Sequence, residues 1–183
     1  MPLLKALIQD QPLLISSLIQ YSAQYHGERE IVTRTIDKNI HRITYSALYK
    51  RTQRLAHALE SLGAEPGDRI GTIAWNSFRH LEVYYATSGI GCICHTVNPR
   101  LFTEQLIYII NHAEDKFLFI DSSFIELVEQ LSPSLKGVKG VIVMCAKEEM
   151  FETTLDNIHC YETLIAGHED HYAWPSFDEN TAS

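Results

Sequence analysis

The cysteines, histidines and glycines of this 183-residue chain are the residues whose types and spacing offer chemistry. Cys92-Ile93-Cys94 stands beside His95 in an apolar run that reads as a strand, where side chains two apart share a face and cannot easily bridge each other. Cys145 and Cys160 complete the set without a C-x-x-C pair, so four buried thiols are expected rather than a disulfide or a zinc site. No nucleophile can be matched with a base. There is no G-x-S-x-G, and Cys92 or Cys94 beside His95 points along a strand rather than across a site. His168-Glu169-Asp170-His171 sets two imidazoles around two carboxylates, yet it lies in an acidic segment without helical period, so a solvated loop is expected. His80 and His112 read as polar-face or capping groups on helix surfaces. Gly89-Ile90-Gly91 follows a helix and precedes a strand. A dinucleotide fingerprint needs the reverse order, and no G-x-x-x-x-G-K loop is present either. Catalytic, cofactor-binding and metal-binding residues are therefore expected to be none.

One local signal remains. Asn98-Pro99-Arg100 falls just past a predicted strand, where open parallel sheets place their ligand crevices, and Trp75-Asn76 occupies the equivalent position after the preceding strand. Trp75, Asn76, Asn98 and Arg100 are the candidate cleft-edge residues, with Arg100 offering a cation. The competing reading makes the loop a lead-in to the helix at Thr103, with Arg100 in a surface ion pair.

The elements that must position these residues follow from hydrophobic period. A helix is expected from about Pro12 to Tyr25 with Gly27 as its terminator, then a hairpin from Glu30–Arg34 and His41–Tyr45 around Asp37-Lys38-Asn39. Ser46 can cap the next helix, whose Leu48, Thr52, Leu55, Leu59 and Leu62 recur with helical period, while Lys50, Arg51, Arg54 and Glu60 lie off that stripe. Strands at Arg69–Ala74, Cys92–Val97, Lys116–Ile120 and Gly140–Met144 alternate with helices at Ser77–Thr87, Thr103–Ala113 and, from a capping-box pattern at Ser123-Phe124-Ile125-Glu126, on to Leu131. Apolar strands alternating with amphipathic helices predict an α/β, doubly wound, largely parallel sheet preceded by an N-terminal helix and hairpin. From residue 145 the pattern weakens into an expected weakly ordered tail, with a short helix at Tyr161–Ala166.

Fifteen Lys and Arg against 23 Asp and Glu give a formal charge of −8 with no basic cluster, which argues against nucleic acid and anionic membranes as partners. Gln9, Asp10, Gln11 and Pro12 interrupt the apolar start before it reaches signal-peptide length, and no apolar run approaches the roughly 18 residues of a spanning helix. A soluble, cytoplasmic protein is expected, in agreement with reduced cysteines.

The run from Gly67 to Asp121 adds specificity. Ile43-Thr44-Tyr45, Gly67-Asp68-Arg69-Ile70, Ala74-Trp75-Asn76, His80-Leu81-Glu82, His95-Thr96-Val97-Asn98-Pro99-Arg100-Leu101, Tyr108-Ile109-Ile110-Asn111-His112-Ala113-Glu114-Asp115 and Phe177-Asp178-Glu179-Asn180-Thr181-Ala182-Ser183 occur in that order. Together they resemble the fatty-acyl-CoA synthetase and methylmercaptopropionate-CoA ligase branch of the adenylate-forming ligases. The resemblance implies that residues 1–183 are the N-terminal portion of the large domain, ahead of the family's phosphate loop, with residues 1–20 as a possible arm packing across a homodimer. It implies a parent that joins a fatty or methylthio carboxylic acid to CoA through an acyl-adenylate, using ATP, Mg²⁺ and CoA, with no cofactor expected for this portion alone. A carboxylate is a poor acyl donor until a good leaving group is attached, and the charge developing on phosphate must be stabilised. The alternatives are a stand-alone flavodoxin-like nucleotide-binding module and a non-catalytic dimerisation partner of an intact ligase.

Overall fold

A computed structural model describes Leu7 and residues 11–183. The arm expected over residues 1–20 thus lies partly outside the described residues. Helix α1 (Ile15–His26) leads into a hairpin of β1 (Glu30–Arg34) and β2 (Ile40–Thr44), paired antiparallel with Val32 opposite Arg42. Lys38 takes the left-handed conformation that its tight turn needs. Then come α2 (Tyr45–Ser61), β3 (Arg69–Ile73), α3 (Phe78–Gly89), β4 (Ile93–Thr96), α4 (Thr103–Ala113), β5 (Phe117–Ile120), α5 (Ile125–Leu131), β6 (Gly140–Val143), β7 (Ile158–Cys160) and α6 (Tyr161–Ala166).

Strands β3 to β7 form one parallel sheet in the order β4-β3-β5-β6-β7. The chain starts in the interior, steps to one edge, and then returns past its start to build outward. The order therefore reverses between β3 and β5, and in such sheets the crevice for a ligand opens beyond the strand ends at that point.

Both faces are covered, which explains the unbroken apolar strands. Along β5, Phe117 and Phe119 point to the side where α2, α3 and α6 supply Leu55, Leu59, Val83, Ala86 and Tyr161. Leu118 and Ile120 point to the other side, where α4 and α5 supply Leu106, Ile110, Val128 and Leu131. A third cluster around Ile19, Leu48 and Phe78 fastens α1 and the hairpin to the outside of α2 and α3. Each fully buried Leu, Ile or Phe side chain contributes about 1.5–3 kcal/mol relative to leaving it in water.

Several local expectations are corrected. Thr44, not Ser46, caps α2, its hydroxyl accepting from the Ala47 amide; the helix already begins at Tyr45, so Ser46 lies inside it. Gly27 does end α1 as expected, in the right-handed conformation (φ −51°). Ser123 caps nothing, because residues 122–124 close a 3₁₀ turn in which the Phe124 amide donates to the Asp121 carbonyl. The expected tail contributes the fifth strand, β7, which is only three residues long and has no continuous apolar run to announce it. Beyond α6, the buried Tyr172 and the half-buried Trp174 dock on α2 and α3, with the Trp174 indole N–H donating to the Tyr49 hydroxyl at 2.9 Å. The Gly89-Ile90-Gly91 turn passes from α3 to β4 as expected, Gly91 at φ +80°. Gly89 has no room for a side chain because the Trp174 ring lies against it.

Candidate functional site

A cleft of about 700 Å³ opens at the C-terminal edge of the sheet, between the strand ends and the hairpin. Trp75 and Asn76 after β3, Asp121 and Ser122 after β5, and Met144 after β6 form its sheet side; Arg34 to Ile43 of the hairpin form its opposite wall. This places the cleft at the order reversal. Trp75 and Asn76 line it from the segment that follows β3.

The reversal point is locked by the protein's own groups. The Trp75 amide donates to the Asp121 carboxylate at 2.5 Å, and the Trp75 indole N–H donates to Ser123 Oγ at 3.2 Å. At the start of α3 the His80 amide is taken by the Ser77 hydroxyl. Two of the amides at this strand–helix junction, those of Trp75 and His80, are therefore already paired by the protein's own side chains. Asp121 is buried, and that burial pushes its carboxyl up, opposed by the Trp75 amide and the Arg79 charge.

Arg100 reaches the same corner, its guanidinium 6.0 Å from the Trp75 ring centre, while Phe124 packs on Trp75 with centroids 5.1 Å apart. A cation over an indole is a stabilising contact worth roughly 0.5–1 kcal/mol when exposed. Asn98 stays outside the cleft lining: it is exposed, and its side-chain oxygen accepts from the Arg100 amide at 3.0 Å, which shapes the loop. Of the four candidates, Trp75 and Asn76 line the cleft, Arg100 lies over the Trp75 ring outside the lining, and Asn98 shapes the backbone beside them.

Sequence reasoning missed the charged floor of the cleft. Arg51 of α2 donates from Nε and Nη2 to Glu82 of α3 at 2.7 and 3.2 Å, and from Nη1 and Nη2 to Glu162 of α6 at 2.9 and 2.8 Å. Arg79 donates from Nε to Glu162 at 2.7 Å, and the Tyr161 hydroxyl donates to Glu82 at 2.6 Å. Glu82 has no solvent exposure at all. Burial raises its pKa, with the Arg51 charge pulling the other way. Burial also pushes Glu162 up, but its hydrogen bonds and charge pairing with Arg51 and Arg79 prevail and hold it below the usual carboxylate range. The expectation that Arg51 lies off the apolar stripe is corrected: it stands three residues after Leu48 and four before Leu55 and turns inward to Glu82, which itself shares a helical stripe with Phe78 and Ala86. A charge inside an apolar stripe calls for a buried partner.

The histidines resolve differently from expectation. His80 is buried, not on a surface; burial lowers its pKa, so the neutral ring donates from Nδ1 to the Trp75 carbonyl and accepts at Nε2 from the Thr72 hydroxyl. His95 on β4 donates from Nδ1 to both carboxylate oxygens of the fully buried Asp115, at 2.9 and 2.8 Å. Gly71 leaves the space this carboxylate fills. The segment from His168 to His171 lies along α2 instead of standing free: Gln53 donates to the Asp170 carbonyl at 2.8 Å, and His57 to the His171 carbonyl at 2.9 Å. His112 keeps to the surface, stacked with Tyr108. All four cysteines are free; burial raises Cys92, Cys94 and Cys145 to about 12. Among the described residues, no three His, Cys, Asp or Glu side chains group as a metal cage, and no helix is long and apolar enough to cross a membrane.

Comparison with known proteins agrees with this arrangement. The AMP-binding enzyme family matches residues 19–172. The chain is 48% identical to a 3-methylmercaptopropionyl-CoA ligase of Ruegeria lacuscaerulensis, over 94% of this chain and 32% of that protein. It is 44% identical to a medium-chain-fatty-acid–CoA ligase of Ectopseudomonas oleovorans, over 93% of this chain and 31% of that one. A crystal structure of an anthranilate CoA ligase with anthranoyl-AMP superposes with a TM-score of 0.80 at 14% identity, covering 97% of this chain and 32% of its own. The chain spans about a third of the length of the curated relatives it matches.

Proposed function

Because the chain belongs to the AMP-binding enzyme family, we propose that it serves as the front portion of a carboxylic acid–CoA ligase. Such a protein converts an acid, ATP and CoA into an acyl-CoA, AMP and pyrophosphate. The observation that carries this reading is identity of 48% and 44%, over nearly the whole chain, to two acid–CoA ligases of which it covers only a third. The proposed substrate class is a fatty or methylthio acid, after the names of those relatives.

Two pairings weigh against an ATP site formed by this portion alone: the Trp75 amide is donated to Asp121, and the first turn of α3 is capped by Ser77. The contribution of this portion is positional: it holds a parallel sheet whose C-terminal edge borders the cleft with Trp75 and Asn76, while Arg100 packs over Trp75 beside it. Nucleotide, Mg²⁺ and CoA would be held largely by the rest of the parent. The flavodoxin-like alternative has the strand order in its favour, but no glycine-rich phosphate turn follows β3 and the Trp75 amide at the order reversal is paired with Asp121. The four free thiols support a cytoplasmic address. Leu18, Tyr21 and Tyr25, exposed on α1, support homodimerisation through this end of the chain, which sedimentation velocity would measure.

The decisive experiment exchanges the matching front third of the Ruegeria ligase for this chain and assays acyl-CoA formation from ATP, CoA and medium-chain or methylthio acids. Turnover by the chimera is expected. A folded, inactive chimera, or turnover by the 183-residue chain alone, would overturn the proposal.

A further inference from the structure

Three sulfur atoms converge where β6 and β7 end. Cys145 Sγ lies 3.8 Å from Met150 Sδ and 4.0 Å from Cys160 Sγ. Cys145 stands two residues past Val143, which pairs in register with Cys160, and Met150 follows the 3₁₀ turn Lys147–Glu149 in the connection between the two strands. Cys145 is buried, whereas Cys160 and Met150 are half-buried, which leaves an approach from solvent.

The two separations from Cys145 Sγ lie in the range that sulfur ligands of one metal ion take. With metal–sulfur bonds of roughly 2.3 Å, sulfur atoms lie about 3.8 Å apart on a tetrahedral face and about 4.0 Å apart in a trigonal plane. A disulfide needs its sulfurs at about 2.05 Å, and a thioether cannot join one. Two thiols and a thioether make a soft donor set, which selects a soft monovalent ion such as Cu(I) over Zn²⁺, Mg²⁺ or Ca²⁺.

We infer that Cys145, Cys160 and Met150 form a binding site for a soft d¹⁰ cation, with Cu(I) as the ion of the matching class. Binding replaces two S–H bonds with two metal–thiolate bonds and releases two protons to solvent; the metal keeps its oxidation state. The metal displaces the protons of Cys145 and Cys160 as it binds. Arg79, paired with Glu162, donates from Nη1 to the Met144 carbonyl at 3.3 Å beside the site. A bound ion would tie β6 to β7 beside Met144 and Glu149, which line the cleft.

The test is an anaerobic titration of the reduced 183-residue chain with Cu(I) in competition with the chromophoric chelator bicinchoninate. One equivalent per chain is expected to leave the chelator and release protons, with a thiolate-to-copper charge-transfer band appearing in the near ultraviolet. Cys145→Ser and Cys160→Ser should each abolish capture, Met150→Leu should weaken it, and Cys94→Ser should leave it intact. Cys145→Ala, which suits the apolar surroundings and is checked by circular dichroism, separates loss of a ligand from loss of fold. Capture that persists in Cys145→Ala overturns the inference. So does an absence of capture by the wild-type chain, and a Cys145–Cys160 crosslink closed by diamide then makes the pair a redox couple instead.

Discussion

Replacing Arg51 by methionine tests whether the buried ionic cluster holds α2, α3 and α6 together. The substitution keeps length and apolar bulk but removes four charge-assisted hydrogen bonds, two to Glu82 and two to Glu162. Glu162 retains Arg79, whereas the fully buried Glu82 is left with the Tyr161 hydroxyl alone. Breaking a buried pair from one side costs about 3–5 kcal/mol, because the remaining charge has no compensation. For a domain of this size that is a fall in Tm of roughly 6–20 °C, against a total stability of about 5–15 kcal/mol. Part of the cost should return when the stranded charge is also removed: Arg51→Met with Glu82→Gln should be more stable than Arg51→Met alone, with a coupling of about 1–3 kcal/mol. Urea unfolding followed by circular dichroism measures all four corners of the cycle. A loss under about 1 kcal/mol for Arg51→Met, or no recovery in the double variant, would show that the cluster does not act as a buried pair and refute the reasoning.

Three further outcomes follow from the structure. Gly89→Ala should drive Trp174 off α3 and cost about 1–3 kcal/mol by overpacking, seen as a red-shifted tryptophan emission and faster proteolysis after Gly167. The Asp115 hydrogen bond raises the His95 pKa above its ordinary 6.5, with burial opposing; the stabilisation is therefore complete below that ordinary value and lost as pH rises through the raised one. Unfolding curves across that window should show the decline in the native chain and not in His95→Gln, and an unchanged slope would exclude the pair as its source. Thr44→Ala should cost about 1 kcal/mol through the lost cap, whereas Ser46→Ala should stay within about 0.5 kcal/mol, as denaturant midpoints will show.

The amino-acid sequence by itself determined the alternation of elements, the parallel sheet and the family. The first two depend on local period and on strands apolar along both faces, and the third on motifs read in order along the chain. Helix α4 and the short α6 fall on the residues that periodicity assigns. Tertiary structure decided what depends on partners distant in sequence. β7 is a strand because Val141 to Val143 supply its ladder, not because three residues prefer to be extended. Glu82 is tolerated in the core because Arg51 lies 31 residues before it, and Glu162 joins them from 111 residues beyond Arg51. Trp75 and Arg100 were legible as strand-end residues, but their contact required β3 and β4 to lie side by side. The amide pairing between Trp75 and Asp121 arises only where the strand order reverses, since a carboxylate beyond one strand can reach an amide beyond its neighbour only after the sheet has assembled.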